Sequence, residues 1–298
     1  MVQRSIGDFA LLSDCQSAAL VDRTGSVDWY CPERFDSPAV FARLLDTERG
    51  GYWSIRPTGD FETGRTYLED TMVLRTEFRT PRGRVALTDA LALGEGERGH
   101  EIGLRSPHAL LRRVEGIEGE VEVELEFAPR LEYALTEPLL LATGAGTVVR
   151  GGPIELHLSS GPALNVGETE ATARFTVRPG ETADFSLSYH RAVGHDQNGT
   201  PRLDVGGALQ NTIEGWRSWT DLHWGYEGPY AEEVRLSALV LQALTYAPTG
   251  AVVAAPTTSL PEALGGSLNW DYRFAWLRDL SLTLRALWVA ACPEEPER

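Results

Sequence analysis

The sequence has no lysine, few cysteines and no long apolar run, and each shortage bears on the class of protein. All 27 basic residues are arginine, which is a compositional bias without functional information. The three cysteines, Cys15, Cys31 and Cys292, are odd in number and widely separated, so we predict buried, inert thiols and neither a disulfide scaffold nor a zinc site. No segment approaches the roughly 20 apolar residues of a membrane span and the first residues lack a signal-peptide core, so a soluble, cytoplasmic protein is expected.

Charge and length narrow the range of partners further. The net charge of -16, from 43 acidic and 27 basic residues, argues against binding to nucleic acid or to an anionic membrane surface. The six histidines show no metal-ligand spacing, so we expect no metal and no cofactor. At 298 residues and 42% hydrophobic content, the chain is long enough for one large domain or two ordinary ones.

The first two thirds of the chain have the alternating pattern of half-buried β-strands. In the segment 119–127, Val121, Val123, Leu125 and Phe127 alternate with glutamates, which gives one apolar face and one solvated face. The same alternation recurs in the segments 154–158, 171–177 and 183–189. Many short strands separated by polar turns predict an antiparallel β-sandwich.

Turn residues predict how two pairs of strands are connected. The RPGE sequence at 178–181 predicts a hairpin that joins the strands at 171–177 and 183–189. Pro81, Arg82 and Gly83 predict a second hairpin between the apolar segments on either side of them.

The pattern becomes helical after about residue 205. A connecting helix is predicted at 206–228, where the packed side contains Trp216, Trp219 and Trp224. A second helix follows, with apolar residues at helical spacing at Val234, Ala238, Leu241 and Leu244. We therefore divide the chain into a β-sandwich (1–205), a linker helix (206–228) and a helical segment (229–298), with 251–266 as a turn-rich extended loop.

The segment 269–287, NWDYRFAWLRDLSLTLRAL, predicts another helix. Trp276, Leu280, Leu284 and Leu287 recur at i, i+4, i+8 and i+11, which is the spacing of one apolar helix face. This face does not account for the adjacent Arg278 and Asp279 near the start of the helix.

Arg278 and Asp279 lie beside three aromatic residues, Tyr272, Phe274 and Trp276. Aromatic rings stack on the C–H face of a pyranose, while arginine donates to sugar hydroxyls and aspartate accepts from them. The combination is therefore typical of a sugar site. The alternative is an ordinary acidic residue at a helix N-terminus beside an amphipathic arginine, and residue chemistry alone leaves both interpretations open.

Three long strings give a more specific indication than this spacing. They are the segment 269–287, the segment 244–262 (LTYAPTGAVVAAPTTSLPE) and the segment 6–46, which contains SDCQSAALVDRTGSVDWYCPERFDSP. Together they resemble the bacterial and archaeal branch of glycoside hydrolase family 15, the glucoamylase and trehalase-like proteins. The similarity spans the chain from Ile6 to about Leu287.

The resemblance implies an N-terminal β-sandwich, a linker helix and an (α/α)6 barrel with a funnel for a terminal glucosyl unit. By match to the family motif, Arg278 and Asp279 would bind the outer hydroxyls of that sugar, and Tyr272 and Trp276 would form the wall against it. The implied reaction is metal-free, inverting hydrolysis of α-glucans or trehalose, and the substrate class is an α-glucoside. The ERFDSP segment at 33–38 matches a family loop that could reach the mouth of the site, although it is also a plain turn.

The family's two catalytic glutamates lie on later helices of the barrel, so we expect the acid and the base beyond Arg298 and assign no catalytic residue. Inversion needs two carboxylates about 6.5 to 9.5 Å apart, and only roughly two barrel helices fit into 229–298. We therefore expect an incomplete barrel, a chain inactive on its own, and apolar helix faces that fold back on the sandwich, self-associate or meet another chain. The alternatives are a non-catalytic carbohydrate-binding or assembly module on the sandwich and a truncated gene product.

Overall fold

The computed structural model describes residues 5–144, 146–192, 203–223, 226–263 and 265–290. Within them, two large antiparallel sheets form a sandwich, and most of the helical structure follows the sandwich in sequence. The predicted fold class, a mainly β protein with an antiparallel sandwich ahead of a few helices, is confirmed. No closed helical barrel is present in the described ranges.

In the described part of the chain, the two sheets contain fifteen strands between them. The first sheet has, in spatial order, β1 (Phe9–Ser13), β2 (Ala18–Asp22), β3 (Ser26–Cys31), β4 (Tyr52–Pro57), β9 (Val121–Ala128), β14 (Ala171–Val177) and β13 (Asn165–Val166). The second sheet has β10 (Leu139–Thr143), β11 (Gly146–Gly151), β12 (Ile154–Ser160), β15 (Thr182–Arg191), β8 (Ala109–Gly119), β7 (Gly83–Leu91), β6 (Leu74–Thr80) and β5 (Glu62–Tyr67).

Strand β9 shows how the alternating sequence builds the core. Its valines, Leu125 and Phe127 are buried, whereas Glu122 is exposed. The inward side chains of β9 join one hydrophobic cluster with inward residues of the second sheet, such as Leu87 and Phe185. The predicted half-buried antiparallel strand is thus confirmed, and the core lies between the two sheets.

The two predicted connections have different outcomes. The hairpin through Pro81 and Arg82 is confirmed, because β6 and β7 pair antiparallel up to Thr80 and Gly83. The hairpin through 178–181 is wrong, because β14 pairs with β9 in the first sheet while β15 pairs with β8 and β12 in the second. A tight turn does form at 178–181, with the Glu181 amide donating to the Arg178 carbonyl at 2.9 Å, but it carries the chain from one sheet to the other.

A fully buried ion pair fastens the two sheets together. Arg112 on β8 lies directly opposite Asp89 on β7, and the Arg112 Nε donates to the Asp89 Oδ1 at 2.8 Å. The other guanidinium nitrogens of Arg112 donate to the carbonyls of Trp53 and Gly25 at 2.7 and 2.6 Å. Trp53 belongs to β4 and Gly25 to the turn before β3, so one cation satisfies acceptors from both layers.

Helix α2 (Val205–Leu222) packs against the sandwich, whereas the earlier α1 (Leu131–Ala134) is a single turn with left-handed backbone at Glu132 and Tyr133. Trp216 and Trp219 on α2 are fully buried in a hydrophobic cluster with Met72, Leu93 and Ile102. The predicted packing of these two tryptophans is confirmed. Trp224 lies outside the described residues.

After α2, the described elements are two helices with four short strands between them. They are α3 (Ala231–Ala243), β16 (Thr245–Tyr246), β17 (Ala251–Val252), β18 (Thr258–Pro261), β19 (Asn269–Asp271) and α4 (Leu277–Val289). The segment 251–266, predicted as a loop, therefore contains two short strands. They form because β16 and β19, close in sequence, supply antiparallel partners.

This C-terminal segment is hydrogen-bonded to β1, to the β1–β2 turn and to β3 of the sandwich. The Ser13 hydroxyl donates to the Ala243 carbonyl at 2.6 Å, and the Ala247 amide donates to the Cys15 carbonyl at 2.8 Å. The Trp29 indole donates to the Pro256 carbonyl at 2.8 Å. The sandwich thus positions the segment that carries the predicted sugar-binding residues.

Candidate functional site

The predicted sugar-binding residues lie where extended backbone leads into α4. The carbonyl oxygens of Tyr272 and Phe274 accept hydrogen bonds from the amides of Ala255 and Ala254 at 2.9 and 3.1 Å, which holds this stretch beside the connection between β17 and β18. Trp276 keeps an extended backbone and is the N-cap of α4. The helix therefore begins at a fixed place, immediately after the aromatic residues.

The structure brings all four predicted binding residues together on one surface. The rings of Tyr272 and Trp276 have centroids 6.0 Å apart and planes inclined by 33°. The Arg278 guanidinium carbon lies 5.8 Å from the centre of the Trp276 ring, and the Arg278 Nη2 donates to the Asp279 Oδ2 at 3.2 Å. We call the surface formed by Tyr272, Trp276, Arg278 and Asp279 the α4 wall.

The α4 wall is open to solvent. Trp276 is 43% exposed, and the side chain of Arg278 is 72% exposed while that of Asp279 is 33% exposed. Phe274, beside the wall, is 51% exposed. Ring faces, an unburied guanidinium and a partly covered carboxylate are thus available on one patch, which is the set of groups that contacts a pyranose.

Glu262 fixes the orientation of Tyr272 and was missed in the sequence. The Tyr272 hydroxyl donates to the Glu262 Oε1 at 3.1 Å. Partial desolvation and this hydrogen bond both raise the pKa of Tyr272, so the phenol stays neutral and remains a donor. Glu262 directly follows β18 and Tyr272 directly follows β19, so the pairing of these two strands brings the partners together, and residue spacing alone gave no signal for this contact.

The apolar face predicted for α4 is only partly correct. Leu287 is buried and Leu280 and Leu284 are half-buried, but Trp276 is exposed. The reason is that Trp276 precedes the first helical residue, so its direction does not follow the helical wheel. The Trp276 ring is therefore exposed on the same surface as Arg278.

Arg273 is the other residue that sequence reasoning missed. Its neighbour Phe274 is 51% exposed, while the Arg273 side chain is only 5% exposed. The Arg273 guanidinium binds Asp271 and backbone carbonyls of the ERFDSP loop. That loop was predicted either to reach the site or to be a plain turn, and the structure places it directly behind the segment that carries the α4 wall.

Two other features of the described residues bear on ligands. Among them, no group of three or more His, Cys, Asp or Glu side chains is arranged to hold a metal ion. No described helix combines the length and the apolar character that crossing a bilayer requires. The two described cysteines, Cys15 and Cys31, are buried thiols that belong to no disulfide, and Cys292 lies outside the described residues.

A surface depression on the sandwich is a weaker candidate for a sugar site. It measures about 490 Å³ and is bordered by three arginines, two glutamates, two threonines and a glycine from β5 and β6. These side chains offer hydrogen bonds but no aromatic face on which a pyranose ring stacks. The α4 wall offers both.

The protein is therefore an antiparallel β-sandwich protein with a helical segment after the sandwich. That segment exposes aromatic, arginine and aspartate side chains on one surface. The chain belongs to the family described as trehalase-like, N-terminal, whose profile matches residues 3–201. Residues 228–297 match the profile described as glycosyl hydrolases family 15. The resemblance inferred from the sequence is thus confirmed.

Curated relatives from bacteria and archaea match almost the whole chain. A trehalase of Mycolicibacterium smegmatis is 32% identical over an aligned length of 314 residues, and the alignment covers 98% of this chain and 46% of the relative. A trehalase of Thermoplasma acidophilum is 35% identical over 270 residues, or 90% of this chain and 45% of the relative. The chain therefore spans about half the length of the curated relatives it matches.

The structural comparison gives a more distant match. A solved structure described as a putative kojibiose phosphorylase from human microbiome overlaps 82% of this chain and 40% of its own chain, with a TM-score of 0.46 and 10% identity.

Proposed function

We propose that this chain forms the β-sandwich and the glucosyl-binding segment of a family 15 glycoside hydrolase whose substrate is trehalose. The observation that carries the proposal is the α4 wall, in which two aromatic rings, a guanidinium and a carboxylate share one exposed surface. The proposal is supported by the family match and by relatives in a bacterium and an archaeon that are both named trehalase.

Each residue of the α4 wall has a distinct role in the proposed site. The C–H face of a glucosyl ring packs against Trp276 and Tyr272, whose ring separation of 6.0 Å makes them a continuous apolar surface. Arg278 donates hydrogen bonds to one hydroxyl of the sugar, and Asp279 accepts from the neighbouring hydroxyl. The contact between them at 3.2 Å directs both groups to the same side.

The α4 wall binds and orients the sugar, and the proton transfers are assigned elsewhere. Inverting hydrolysis needs one carboxylic acid to protonate the leaving oxygen and one carboxylate to activate water, about 6.5 to 9.5 Å apart. Asp279 is engaged with Arg278 and serves as a hydrogen-bond acceptor for a hydroxyl. We propose that the acid and the base belong to later helices of the family's barrel.

Sugar titration of the purified chain tests the role of the α4 wall. Charge-assisted hydrogen bonds contribute about 1.5 to 3 kcal/mol, so Arg278→Ala should weaken trehalose binding by roughly 10- to 150-fold in calorimetry. Arg285→Ala is the matched control, because Arg285 is an exposed arginine two turns further along the same helix. The trehalose affinity of Arg285→Ala should stay within about twofold of that of the unsubstituted chain.

The titration also separates the proposed function from its rivals. Equal losses in Arg278→Ala and Arg285→Ala would point to a non-specific charge effect and would refute the assignment. Trehalose binding that survives Arg278→Ala would place the sugar on the sandwich surface. A parallel titration with maltose tests substrate choice, and tighter binding of maltose than of trehalose would favour an α-glucan substrate.

A further inference from the structure

The backbone that carries the α4 wall places a buried arginine between two less buried aromatic residues. In residues 271–275, between β19 and α4, Arg273 is buried while Tyr272 is half-buried and Phe274 is exposed. The Arg273 Nε and Nη2 donate to the two carboxylate oxygens of Asp271 at 2.9 and 2.8 Å. Burial alone would lower the pKa of Arg273, but the bidentate contact with Asp271 outweighs it and raises that pKa. Arg273 is therefore a permanently charged group inside the protein.

The remaining donor of Arg273 crosses to the sandwich. Its Nη1 donates to the Ser37 carbonyl at 2.8 Å and to the Phe35 carbonyl at 3.3 Å. The same nitrogen lies 3.5 Å from the Cys31 Sγ, and the guanidinium carbon lies 5.7 Å from the centre of the Tyr133 ring. One side chain thus joins the segment before α4 to a loop more than 230 residues earlier in the sequence.

The 31–37 loop is itself held from its other side. Glu33 accepts hydrogen bonds from the Tyr189 hydroxyl at 2.7 Å and from the Arg191 Nε at 3.0 Å, which ties the loop to strand β15. Arg34 pairs with Asp36 at 2.8 Å. The 31–37 loop is therefore held in place from both sides. Arg273 fixes the residues beside it in the sequence relative to this loop.

We propose that Arg273 is a positioning residue that anchors the α4 wall to the 31–37 loop of the β-sandwich, so that the sandwich sets the geometry of the sugar site. The identity of the sugar rests on the function proposed above, whereas the anchoring does not. Without Arg273, the carbonyls of Phe35 and Ser37 lose a buried donor, the Asp271 carboxylate loses its partner, and the segment separates from the loop. Tyr272 and Trp276 then no longer hold a fixed spacing.

Cys31 provides a direct reporter of this contact. It is 1% exposed, and burial raises the pKa of its thiol to about 12, so alkylation requires the Arg273 contact to open. Cys15 is an internal control in the same molecule, because it is fully buried in a separate cluster with Trp216 and Trp219. Its alkylation reports a wider opening than loss of the Arg273 contact, because this cluster also contains residues of α3 and α4.

The experiment compares iodoacetamide labelling of Cys31 and Cys15 by peptide mass spectrometry in the native 298-residue chain. Arg273→Ala should raise the rate at Cys31 by about tenfold or more and leave Cys15 unchanged, since only a local opening is introduced. Trehalose affinity of the same variant should fall by about fivefold or more, because the wall loses its preorganisation. If Arg273→Ala is insoluble, Arg273→Lys retains the charge but not the fork and should show the same changes at smaller amplitude.

Arg278→Ala completes the design, since it should weaken sugar binding without changing the labelling of Cys31. Unchanged labelling of Cys31 in both Arg273 variants would overturn the anchoring. Labelling that rises equally at Cys31 and Cys15 would overturn it too, because the role would be general stability. Faster labelling of Cys31 in the Arg273 variants without a loss of trehalose affinity would show that Arg273 does not set the geometry of the α4 wall. If the unsubstituted chain binds no trehalose, the proposed function fails. The ratio of the labelling rates of Cys31 and Cys15 then still decides whether Arg273 anchors the segment.

Discussion

Arg112→Met removes the buried cation that connects the two sheets of the sandwich. In the folded protein the side chains of Arg112 and Asp89 are both 0% exposed. The substitution retains an unbranched apolar side chain that reaches as far as the arginine Nε, so only the volume of the outer guanidinium atoms is lost. It takes away the partner of Asp89 and the donors to the carbonyls of Trp53 and Gly25.

The expected cost follows from these contacts. Breaking a buried ion pair by removing one partner costs about 3 to 5 kcal/mol, because the other charge stays buried without compensation. Unfolding entropy is about 2.1 cal/mol/K per residue, which is roughly 0.6 kcal/mol/K for 298 residues. Arg112→Met should therefore lower the Tm by about 5 to 8 °C.

Calorimetry with two further variants tests the reasoning. Arg84→Met is the matched control, because Arg84 pairs with Glu118 across the same two strands while both side chains are largely exposed. Arg84→Met should lower the free energy of unfolding by less than about 1 kcal/mol. The double substitution Arg112→Met with Asp89→Leu should recover most of the loss, since no unpaired charge remains. A Tm for Arg112→Met no lower than that of Arg84→Met would refute this account of the sandwich core.

Two more predictions concern the linker helix and the Arg273 anchor. Trp219→Ala should cost about 3 to 5 kcal/mol in urea unfolding, whereas Leu222→Ala, on the same helix but exposed, should stay within about 0.5 kcal/mol. Burial raises the pKa of Asp271, but hydrogen bonds from Arg273 outweigh it and hold that pKa below 3.8. The stability contributed by Asp271 is thus present above about pH 4 and is lost as the pH falls through the folded pKa. Asp271→Asn should show a shallower acid loss of stability, and an unchanged slope would contradict this linkage.

The sequence pattern predicted the sandwich well because alternation is a local property. Val121, Val123, Leu125 and Phe127 point to one side of β9 in any sheet that contains it, and they are buried. The pairing of β14 and β15 was not predicted correctly, since the 178–181 turn allows both a hairpin and a crossing between layers. That choice depends on the partners β9 and β8, which lie some fifty to seventy residues earlier in the chain.

The candidate site was predictable in its exposed half only. Tyr272, Trp276, Arg278 and Asp279 are close in sequence, and an extended segment followed by a helix brings them together. The buried half was not predictable, because Arg273 is a core residue only through carbonyls of the 31–37 loop. Nothing in the composition of either segment indicates that contact.

A crystal structure of this chain soaked with trehalose tests the central claim most directly. A glucosyl ring should be stacked on Trp276 and Tyr272, with hydroxyls within hydrogen-bond distance of Arg278 and Asp279. Trehalose bound instead in the depression between β5 and β6, with the α4 wall unoccupied, would contradict it.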